Sequence, residues 1–407
     1  MHILLIHQAF ASLDEPGGTR HHELARALVK RGHRVTVIAS PVSYLTGNPS
    51  PLPPSPAGSG AGGEGGIVIR RAATYQALHR SFVHRVFAFS SFMVSSFFVG
   101  LGVRHVDLVW GTSPPIFQGW TAWMLARLKR VPFLFEVRDL WPSFAIAVGV
   151  LKNPALVRLS LWLEGFLYRH ADRVMVNSPG YVAHVDGRGA RRTELVPNGA
   201  DPAMFVPADE GRTFRAAHGL EDKFVALYAG AHGMSNDLGV VLDCAGLLAR
   251  SNPEIRIIFL GDGKEKPALQ ARAAEMKLSN VIFLPPVPKN GMAAALAGAD
   301  ACIAILKPLD EYKTTYPNKV FDYMAAGRPV VLAIDGVIRE VVETASCGIF
   351  ARPGDPAALA AAIVRLASDR EASRAMGLKG RRTVEAQFSR AASAEKLAGI
   401  LESMVSA

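Results

Sequence analysis

Short apolar runs alternate with segments of helical periodicity along most of the chain. In the first half, runs with the length of a buried strand begin at His2, Val35, Ile67, Val106 and Phe133. The segments between them carry apolar residues three and four positions apart, which is typical of helices that cover a sheet. Neighbouring parallel strands need such a crossover, so this alternation predicts an α/β fold with parallel sheets.

The alternation starts again in the second half of the chain, after the turn-like sequence Pro197–Asp201. Six apolar runs there read as strands and are bounded by helical segments and by glycines: Phe224–Ala229, Ile255–Leu260, Val281–Leu284, Ala301–Ile305, Val330–Ile334 and Ile349–Ala351. We therefore predict two Rossmann-like, doubly wound domains that face a central cleft. The predicted boundaries are residues 1–200 for the first domain, 201–222 for a linker, 223–388 for the second domain, and 389–407 for a C-terminal helix that could pack back on the first domain.

The segment Arg80–Arg104 is the most ambiguous part of the chain. Its middle, Val86–Val103, is rich in Phe and contains no charged residue. That length reaches the lower limit for a transmembrane helix, about 17 residues. Serines and glycines interrupt the stretch, and the strand–helix alternation continues on both sides of it. We expect a core helix with one face at the surface of a bilayer, and a spanning helix is the less favoured alternative.

Composition narrows the choice of partners. The 407 residues are 49% hydrophobic and 20% charged, with a net charge of +10. This basic balance favours anionic partners such as nucleotide phosphates and acidic lipid headgroups. No basic run or RNA-binding signature points to nucleic acid. The Pro-, Gly- and Ser-rich segment Gly47–Gly66 is predicted to be a mobile loop.

Cysteine usage and the N-terminus favour a cytoplasmic protein. Cys244, Cys302 and Cys347 are far apart and odd in number, which fits free thiols and neither a disulfide framework nor a zinc site. The first residues, Met1–Ile6, enter a strand directly, with no signal-peptide pattern.

A candidate anion-binding corner occurs at Tyr312–Ile334. A loop with Pro317 precedes a helical pattern that Gly327 ends, and a buried strand follows. Free backbone N–H groups at the start of a helix favour phosphate. Lys319 and Asp322 share one face of this helix. A nucleotide-diphosphate site needs a cation near the phosphate and a carboxylate near the ribose diol, and these two residues would supply them. The alternative is an ordinary surface helix with a solvated Lys and Asp.

Two further candidates lie in the first half. Gly17 and Gly18 precede a helix and would let the backbone approach a ligand closely, or would simply form a tight turn. They are not part of a GxGxxG motif. Arg138 and Asp139 follow the buried strand Phe133–Val137, at the edge where open α/β sheets place ligands. The alternative there is a structural Arg–Asp pair.

The sequence from Asp322, Asp-Tyr-Met-Ala-Ala-Gly-Arg-Pro-Val-Val, resembles part of the signature of family-4 retaining glycosyltransferases. That family carries two glutamates at a fixed spacing, whose positions are Thr314 and Asp322 here. The Pro-x-Lys before the acid, Pro317 and Lys319, looks like the WbuB-type subgroup, which builds surface polysaccharides. Pro197–Asp201 is similar to the family's sequence at the end of its first domain.

The resemblance implies a GT-B fold and a nucleotide-sugar donor. The family usually holds the donor phosphates with an Arg and a Lys, whose positions are Ala231 and Asn236 here, so this chain must build the phosphate site differently. The candidate catalytic residues are Asp139, Arg138 and Lys319. The candidate donor-binding residues are Gly17, Gly18, Gly230, His232, Gly233, Gly261, Gly263, Thr314, Pro317, Asn318, Lys319 and Asp322.

The resemblance also implies transfer with retention at the anomeric carbon, with the leaving phosphate as base. The sequence contains no Asp-x-Asp, so neither a metal nor another cofactor is expected. We expect a UDP-linked N-acetylated hexosamine or deoxyhexosamine as donor sugar. The expected acceptor is a lipid-linked saccharide of cell-surface polysaccharide synthesis, such as O-antigen, and the expected location is the inner face of the plasma membrane, as a peripheral protein.

Two alternatives stay open. Part of the family signature is missing, so the protein could bind sugar nucleotides without catalysis. An NAD(P) oxidoreductase with tandem Rossmann domains is less favoured, because neither the Gly17 loop nor the Gly230 loop has the GxGxxG pattern that it would need.

Overall fold

The computed structural model describes residues 1–15, 17–43, 49, 66–75, 82–205 and 210–406. These residues form two compact units, one from Met1–Pro197 with Ala391–Ala407 and the other from Asn198–Arg390. Each unit is built on one parallel sheet, which confirms the predicted class of two Rossmann-like α/β domains. The predicted loop Gly47–Gly66 lies outside the described residues, apart from Pro49 and Gly66.

The first sheet has seven parallel strands in the order β3-β2-β1-β4-β5-β6-β7. From β1 the chain adds β2 and β3 on one side and then β4 to β7 on the other, so the β1–β4 pair marks the switch point. The strands are β1 His2–Ile6, β2 Arg34–Ala39, β3 Ile67–Arg71, β4 Leu108–Ser113, β5 Phe133–Val137, β6 Arg173–Val176 and β7 Thr193–Leu195.

Helices cover both faces of this sheet. They are α1 Arg20–Lys30, α2 Phe82–Leu101, α3 Phe117–Lys129, α4 Ser143–Ala147, α5 Pro154–His170, α6 Val182–Gly187 and α15 Arg390–Val405. Alternate residues of β1 point to opposite cores, because strand side chains have a period of two. Leu4 and Ile6 pack with α2, α3 and α5, whereas Ile3 and Leu5 pack with α1 and α15.

The second sheet has six parallel strands in the order β10-β9-β8-β11-β12-β13, and its switch point lies between β8 and β11. The strands are β8 Phe224–Ala229, β9 Ile255–Leu260, β10 Val281–Leu284, β11 Ala301–Ile305, β12 Val330–Ala333 and β13 Gly348–Phe350. The helices are α7 Glu210–Ala217, α8 Leu238–Ser251, α9 Lys266–Glu275, α10 Lys289–Gly298, α11 Asn318–Ala325, α12 Val337–Thr344, α13 Pro356–Ser368 and α14 Arg370–Gln387.

Residues 201–222 were predicted to be a linker, but the described residues of this range, 201–205 and 210–222, lie in the second unit. Helix α7 packs tightly on α10, because a methyl group on Gly298 would lie 2.5 Å from the Phe214 ring. One on Gly211 would lie 2.7 Å from the backbone of Ala297. Apolar contacts at these glycines therefore hold the segment to the domain that follows it.

The ambiguous segment Arg80–Arg104 contains α2, which has a buried side and an exposed side. Within the ranges that the structure covers, none of the helices has both the length and the apolar character needed to cross a membrane. Ala88, Phe92 and Ser96 of α2 are buried, and Thr121 of α3 donates a hydrogen bond to the Met93 carbonyl oxygen at 2.8 Å. The inner side of α2 is therefore part of the first core.

Candidate functional site

The start of α11 brings Lys319 to the loop that follows β8. Pro317 is the residue before the helix, and Lys319 lies in its first turn. The Lys319 Nζ atom donates hydrogen bonds to the Tyr228 hydroxyl oxygen at 2.8 Å and to Asn236 Oδ1 at 3.1 Å. The same ammonium group lies 4.2 Å from the centroid of the Tyr228 ring. We call Lys319, Tyr228, Asn236 and Gly230 the lysine cluster.

Gly230 is needed at its position in this cluster. Its φ angle is +147°, and a methyl group there would lie 3.1 Å from Lys319 Nζ. A larger residue would therefore strain the backbone and crowd the ammonium group. The structure thus brings together Lys319 and Gly230, two of the residues predicted to hold the donor.

The electrostatics of the cluster favour an anionic ligand. Burial lowers the pKa of Lys319 to about 7, and both of its hydrogen-bond acceptors are neutral groups. A phosphate beside Nζ would favour the charged ammonium form. Helix α11 adds the backbone N–H groups of Asn318 and Lys319, which an α-helix leaves without partners inside its first turn.

The two predicted donor-binding glycines in the loop after β9 pack against the loop that carries Gly230 and His232. A methyl group on Gly261 would lie 2.0 Å from the Gly230 carbonyl oxygen, and one on Gly263 would lie 2.5 Å from the His232 carbonyl oxygen. Lys266 joins the same region, because its Nζ atom donates to the carbonyl oxygens of Gly261 at 2.7 Å and Leu284 at 2.9 Å. Gly261 and Gly263 therefore support the loop that carries Gly230.

His232 lies among aromatic rings, behind the surface of the loop that follows β8. The residue is completely buried, and its ring lies 5.9 to 6.4 Å, between centroids, from the rings of Tyr228, Phe259 and Phe283. Burial lowers its pKa to about 4, so the ring is neutral near pH 7. A donor-binding role for His232 stays a prediction: the ring is enclosed in this structure, and neither of its nitrogens has a hydrogen-bond partner among the described residues. The next residue, Gly233, is partly exposed and has open space around its Cα.

Asp322, the proposed ribose acceptor, is part of an ion pair. Its Oδ2 atom lies 2.6 Å from Lys289 Nζ, and both side chains are mostly buried. Lys289 also lies above the Phe205 ring, 5.2 Å from its centroid. A ribose diol at Asp322 would therefore share the carboxylate with Lys289.

Thr314 stands at the position of the first family glutamate and is bonded locally. Its hydroxyl donates to the Glu311 carbonyl oxygen at 2.6 Å, within a short 3-10 helix. In the same helix the Tyr312 hydroxyl donates to Ser235 Oγ at 2.7 Å, which connects this segment to the turn that contains Asn236. A pocket of about 290 Å³ lies beside it and is lined by Lys307, Pro308, Leu309, Asp310, Tyr312, Lys313, Ile334, Asp335, Arg339, Phe350, Arg352 and Pro353.

In the first unit, the predicted residues lie at two places along the sheet edge. Gly17 and Gly18 are exposed immediately before α1, and a methyl group on Gly18 would meet no atom within 4 Å. Arg138 follows β5 and donates from Nε to the Ser113 carbonyl oxygen at 3.2 Å and from Nη2 to the Pro114 carbonyl oxygen at 2.5 Å. Arg138 therefore holds the loop after β4.

Asp139 is partly buried beside Arg138. Burial raises the pKa of its carboxyl group from the usual 3.8 to about 6, although the Arg138 charge opposes this shift. A carboxyl group with this pKa is poised near neutrality, where it can exchange a proton or accept a hydrogen bond from a sugar hydroxyl.

A buried network around Glu136 was not among the predicted site residues. The Glu136 side chain is fully buried and accepts hydrogen bonds from Arg20 Nε at 3.1 Å, His21 Nε2 at 2.6 Å and Trp110 Nε1 at 3.2 Å. Arg20 also donates to the carbonyl oxygens of Val196 and Pro197. The available signal was the single charged residue inside the apolar run Phe133–Val137.

A second missed group adjoins this network. The His7 ring lies 4.1 Å from the His21 ring between centroids, and His7 Nδ1 lies 3.2 Å from Thr112 Oγ1. Gln118 donates to Thr112 Oγ1 and accepts from the Gln8 backbone N–H. Burial lowers the pKa values of His7 and His21, although Glu136 raises that of His21 in part. Both rings are therefore neutral near pH 7, and they lie at the β1–β4 switch point.

Comparisons with known families match both halves of the chain. Residues 17–199 match the model "Glycosyl transferase 4-like domain", and residues 223–369 match "Glycosyl transferases group 1". Among curated proteins, a D-inositol 3-phosphate glycosyltransferase of Geodermatophilus obscurus is 28% identical over 282 residues, which is 66% of this chain and 60% of that protein. The chain thus spans less than two thirds of that relative's length.

Solved structures resemble the whole chain. Sucrose-phosphate synthase of Thermosynechococcus elongatus has a TM-score of 0.78 at 19% identity and covers 100% of this chain and 99% of its own. HepE of Anabaena, in complex with UDP and glucose, has a TM-score of 0.73 at 17% identity and covers 99% of this chain and 100% of its own. At these identities the likeness concerns the fold.

Proposed function

The chain belongs to the group 1, GT4-like glycosyltransferases, and from this premise we propose that it transfers a sugar from a UDP-sugar to a lipid-linked saccharide, with retention. The observation that carries the proposal is the lysine cluster, in which Lys319 and the first turn of α11 meet the Gly230 loop. A cation and free backbone N–H groups at one point of a sheet edge suit a diphosphate.

UDP is the proposed nucleotide because HepE, a protein of the same fold, was solved with UDP and glucose. The resemblance to the WbuB-type subgroup at Pro317 and Lys319 favours an N-acetylated hexosamine or deoxyhexosamine as the sugar. Inositol phosphate and sucrose phosphate appear in the names of similar proteins, so the acceptor is the part of the proposal that most needs a direct assay.

Each candidate residue has a proposed role in the reaction. Lys319 and the α11 N–H groups bind the diphosphate and stabilise its charge as it leaves. Asp322 accepts hydrogen bonds from the ribose hydroxyls, and Asp139 contacts the sugar or the acceptor. The acceptor hydroxyl forms a bond to the anomeric carbon on the face that the diphosphate leaves, and its proton passes to a phosphate oxygen of the departing UDP.

The reaction as proposed needs no metal, because Lys319 and helix N–H groups supply the positive charge. We place it in the synthesis of a cell-surface polysaccharide such as O-antigen, at the cytoplasmic face of the plasma membrane. The basic net charge of +10 supports an anionic membrane as a partner.

The test is turnover of a panel of UDP- and GDP-sugars by the purified chain, with a lipid-linked saccharide extract as acceptor. We expect release of UDP from one donor, and at least a tenfold loss of this release in Lys319→Ala, which removes a charge-assisted contact worth roughly 1.5–3 kcal/mol. Binding of UDP without release from any donor would instead support the alternative of a non-catalytic sugar-nucleotide binding protein. Failure to bind either UDP or GDP would contradict both.

A further inference from the structure

Exposed large apolar side chains are concentrated on three helices of the first unit. Helices α2, α3 and α5 lie side by side over the same core. Most of the large apolar side chains that are exposed in the described ranges lie on these three helices. They are Phe87, Val94, Phe98, Leu101, Leu128, Leu156, Leu159 and Trp162. Extended apolar patches of this kind mark interaction surfaces.

Helix α2 separates its two sides cleanly. Phe87, Val94, Phe98 and Leu101 fall within an arc of roughly 60° at the α-helical period. Phe98 is 66% exposed and Phe87 is 61% exposed. The buried residue Phe92 lies on the opposite side of the helix and packs into the core. The exposed residues are therefore not edge positions of the core but a separate apolar face.

Aromatic residues continue this surface across α3 and α5. The Trp120 ring lies 5.0 Å from Trp123, 6.3 Å from Trp162 and 5.1 Å from Phe166, between centroids. Trp162 is 50% exposed and Leu159 is 56% exposed. Trp and Phe on an outward helix face are characteristic of proteins that insert into the headgroup region of a bilayer.

The charges on the three helices have one sign. Their only acidic residue is Glu164, which is completely buried and ion-paired with His184 and Arg188. Arg127, Arg158 and Arg169 are exposed on α3 and α5. The opposite face of the same sheet differs, because α15 carries the acids Glu395 and Glu402, which pair with Arg31.

We propose that the outward faces of α2, α3 and α5 form one docking surface for an anionic lipid bilayer. We call it the three-helix face, and it is defined by the exposed apolar residues given above together with Arg127, Arg158 and Arg169. The apolar side chains enter the interface while the arginines meet acidic headgroups. This inference rests on the proposed use of a lipid-linked acceptor and names the surface that would bring the protein to it.

A second copy of the chain is a poorer occupant of this face. Two identical three-helix faces would oppose arginine to arginine, with no exposed acid on these helices to compensate. An anionic bilayer provides both the apolar layer and the opposite charge. The charge pattern therefore favours lipid over self-association.

The test measures co-sedimentation of the full chain with phosphatidylglycerol-containing vesicles and with pure phosphatidylcholine vesicles, in the absence of donor. We expect binding to the first kind of vesicle only, and release as salt screens the arginines. Phe98→Ser and Leu159→Ser should each reduce binding roughly tenfold, because each removes a large apolar side chain from the interface with the lipid. Replacing Phe97 is less informative, because that side chain packs against the core.

Leu378→Ser is the matched control for Leu159→Ser. Leu378 is 51% exposed, close to the 56% of Leu159, but it lies on α14 of the second unit. Vesicle binding should be unchanged in this variant. Equal loss in the two leucine variants, no loss in the three-helix variants, or binding that resists salt would overturn the proposal. So would a dimer in solution that Phe98→Ser dissociates.

UDP release from the donor is measured on the same protein samples without vesicles. Normal release with no vesicle binding would reject the three-helix face and leave the proposed function intact. Vesicle binding that depends on Phe98 and Leu159, with no release from any donor, would support the surface and reject the transferase proposal. The two failures are therefore distinguishable.

Discussion

The ammonium group of Lys319 lies 3.1 Å from the side-chain oxygen of Asn236 and so joins the start of α11 to the loop after β8. In the family that the sequence resembles, a lysine usually stands at the position of Asn236. Here the cation reaches the same loop from a different helix. The lysine cluster therefore offers a physical answer to the absence of the family's usual Arg and Lys at Ala231 and Asn236.

The affinity for a UDP-sugar should depend on pH through Lys319. Its pKa is lowered to about 7 by burial, so the fraction of free protein with a charged ammonium falls as the pH rises through 7. We expect weaker binding of UDP-glucose at about pH 8 than at about pH 6, measured by calorimetry, because neither the ligand's diphosphate nor its uracil ring changes charge appreciably in that range.

Lys319→Arg is the control for this pH effect. A guanidinium group stays protonated across the same range, so the affinity of this variant should change little with pH, whatever its absolute value. A wild-type pH dependence that persists in Lys319→Arg would show that another group is responsible.

Asp322→Ala should weaken UDP binding by roughly 1.5–3 kcal/mol, the range for hydrogen bonds to a charged group. The ion pair with Lys289 is mostly buried, so the variant should also lose thermal stability while remaining folded. Lys289→Ala breaks the same pair and should lose stability too, but it keeps the proposed ribose acceptor. Equal UDP affinities in the two variants would remove Asp322 from the ribose role.

The regular elements were the most predictable part of the molecule. Phe224–Ala229 and Ile255–Leu260 are predicted to the residue, because central parallel strands are buried on both faces and therefore apolar throughout. Helix α12, Val337–Thr344, was not predicted, since it is short and charged residues interrupt its apolar positions. The predicted linker also failed, because its apolar contacts to α10 depend on Gly211 and Gly298, two residues without hydrophobic side chains.

The candidate site was predictable only where its parts are close in sequence. The anion corner at Pro317–Asp322 follows from local signals, such as the loop, the helix start and the charges. The pairing of Asp322 with Lys289, and of Glu136 with Arg20, joins residues far apart in the chain. No local pattern specifies such partners. The complete burial of His232 is likewise set by Phe259 and Phe283 on other strands.

Glycosyl transfer should persist in excess EDTA. In the proposed mechanism Lys319 and the α11 N–H groups supply the positive charge for the leaving diphosphate. Within the described ranges, no group of three or more His, Cys, Asp or Glu side chains is arranged to hold a metal ion. Transfer that is abolished by EDTA and restored by Mg²⁺ or Mn²⁺ would contradict the metal-free mechanism.

Asp139 should make kcat fall at low pH, which gives the plot of kcat against pH a declining acidic limb. The pKa of its carboxyl group is raised from 3.8 to about 6 by burial, so the charged form that accepts a hydrogen bond from a sugar or acceptor hydroxyl is lost as the pH falls below 6. Asp139→Asn should lower kcat and abolish that limb. An unchanged limb in the Asn variant would assign it to another group.

The same carboxyl group should stabilise the folded protein more at low pH, which is the opposite of its effect on activity. A carboxyl whose pKa is raised on folding binds more protons in the folded state between about pH 4 and pH 6. The free energy of unfolding should therefore fall as the pH rises through this window, and Asp139→Asn should remove this contribution. Chemical unfolding of both proteins at the two pH values measures it.

The buried network of Arg20, His21, Trp110 and Glu136 predicts a large stability effect with its own control. Glu136→Gln leaves the Arg20 cation buried without a counter-charge and turns an amide N–H₂ towards groups that are themselves donors. Breaking a buried ion pair in this way costs about 3–5 kcal/mol.

Burial alone would raise the pKa of Glu136, but His21 and Arg20 lower it to about 2. The stabilisation should therefore be complete above pH 4.5 and be lost as the pH falls towards 2, a loss that is absent in the variant. Glu164→Gln is the matched control, because Glu164 is equally buried but its basic partners His184 and Arg188 are partly exposed and can be solvated. Its third partner, the buried Tyr168 hydroxyl, is neutral and can also hydrogen-bond to the amide. We expect Glu136→Gln to lose clearly more unfolding free energy at neutral pH than Glu164→Gln, as measured by urea unfolding monitored by fluorescence. Equal losses in the two variants would show that the Glu136 network is not the main polar support of the first unit.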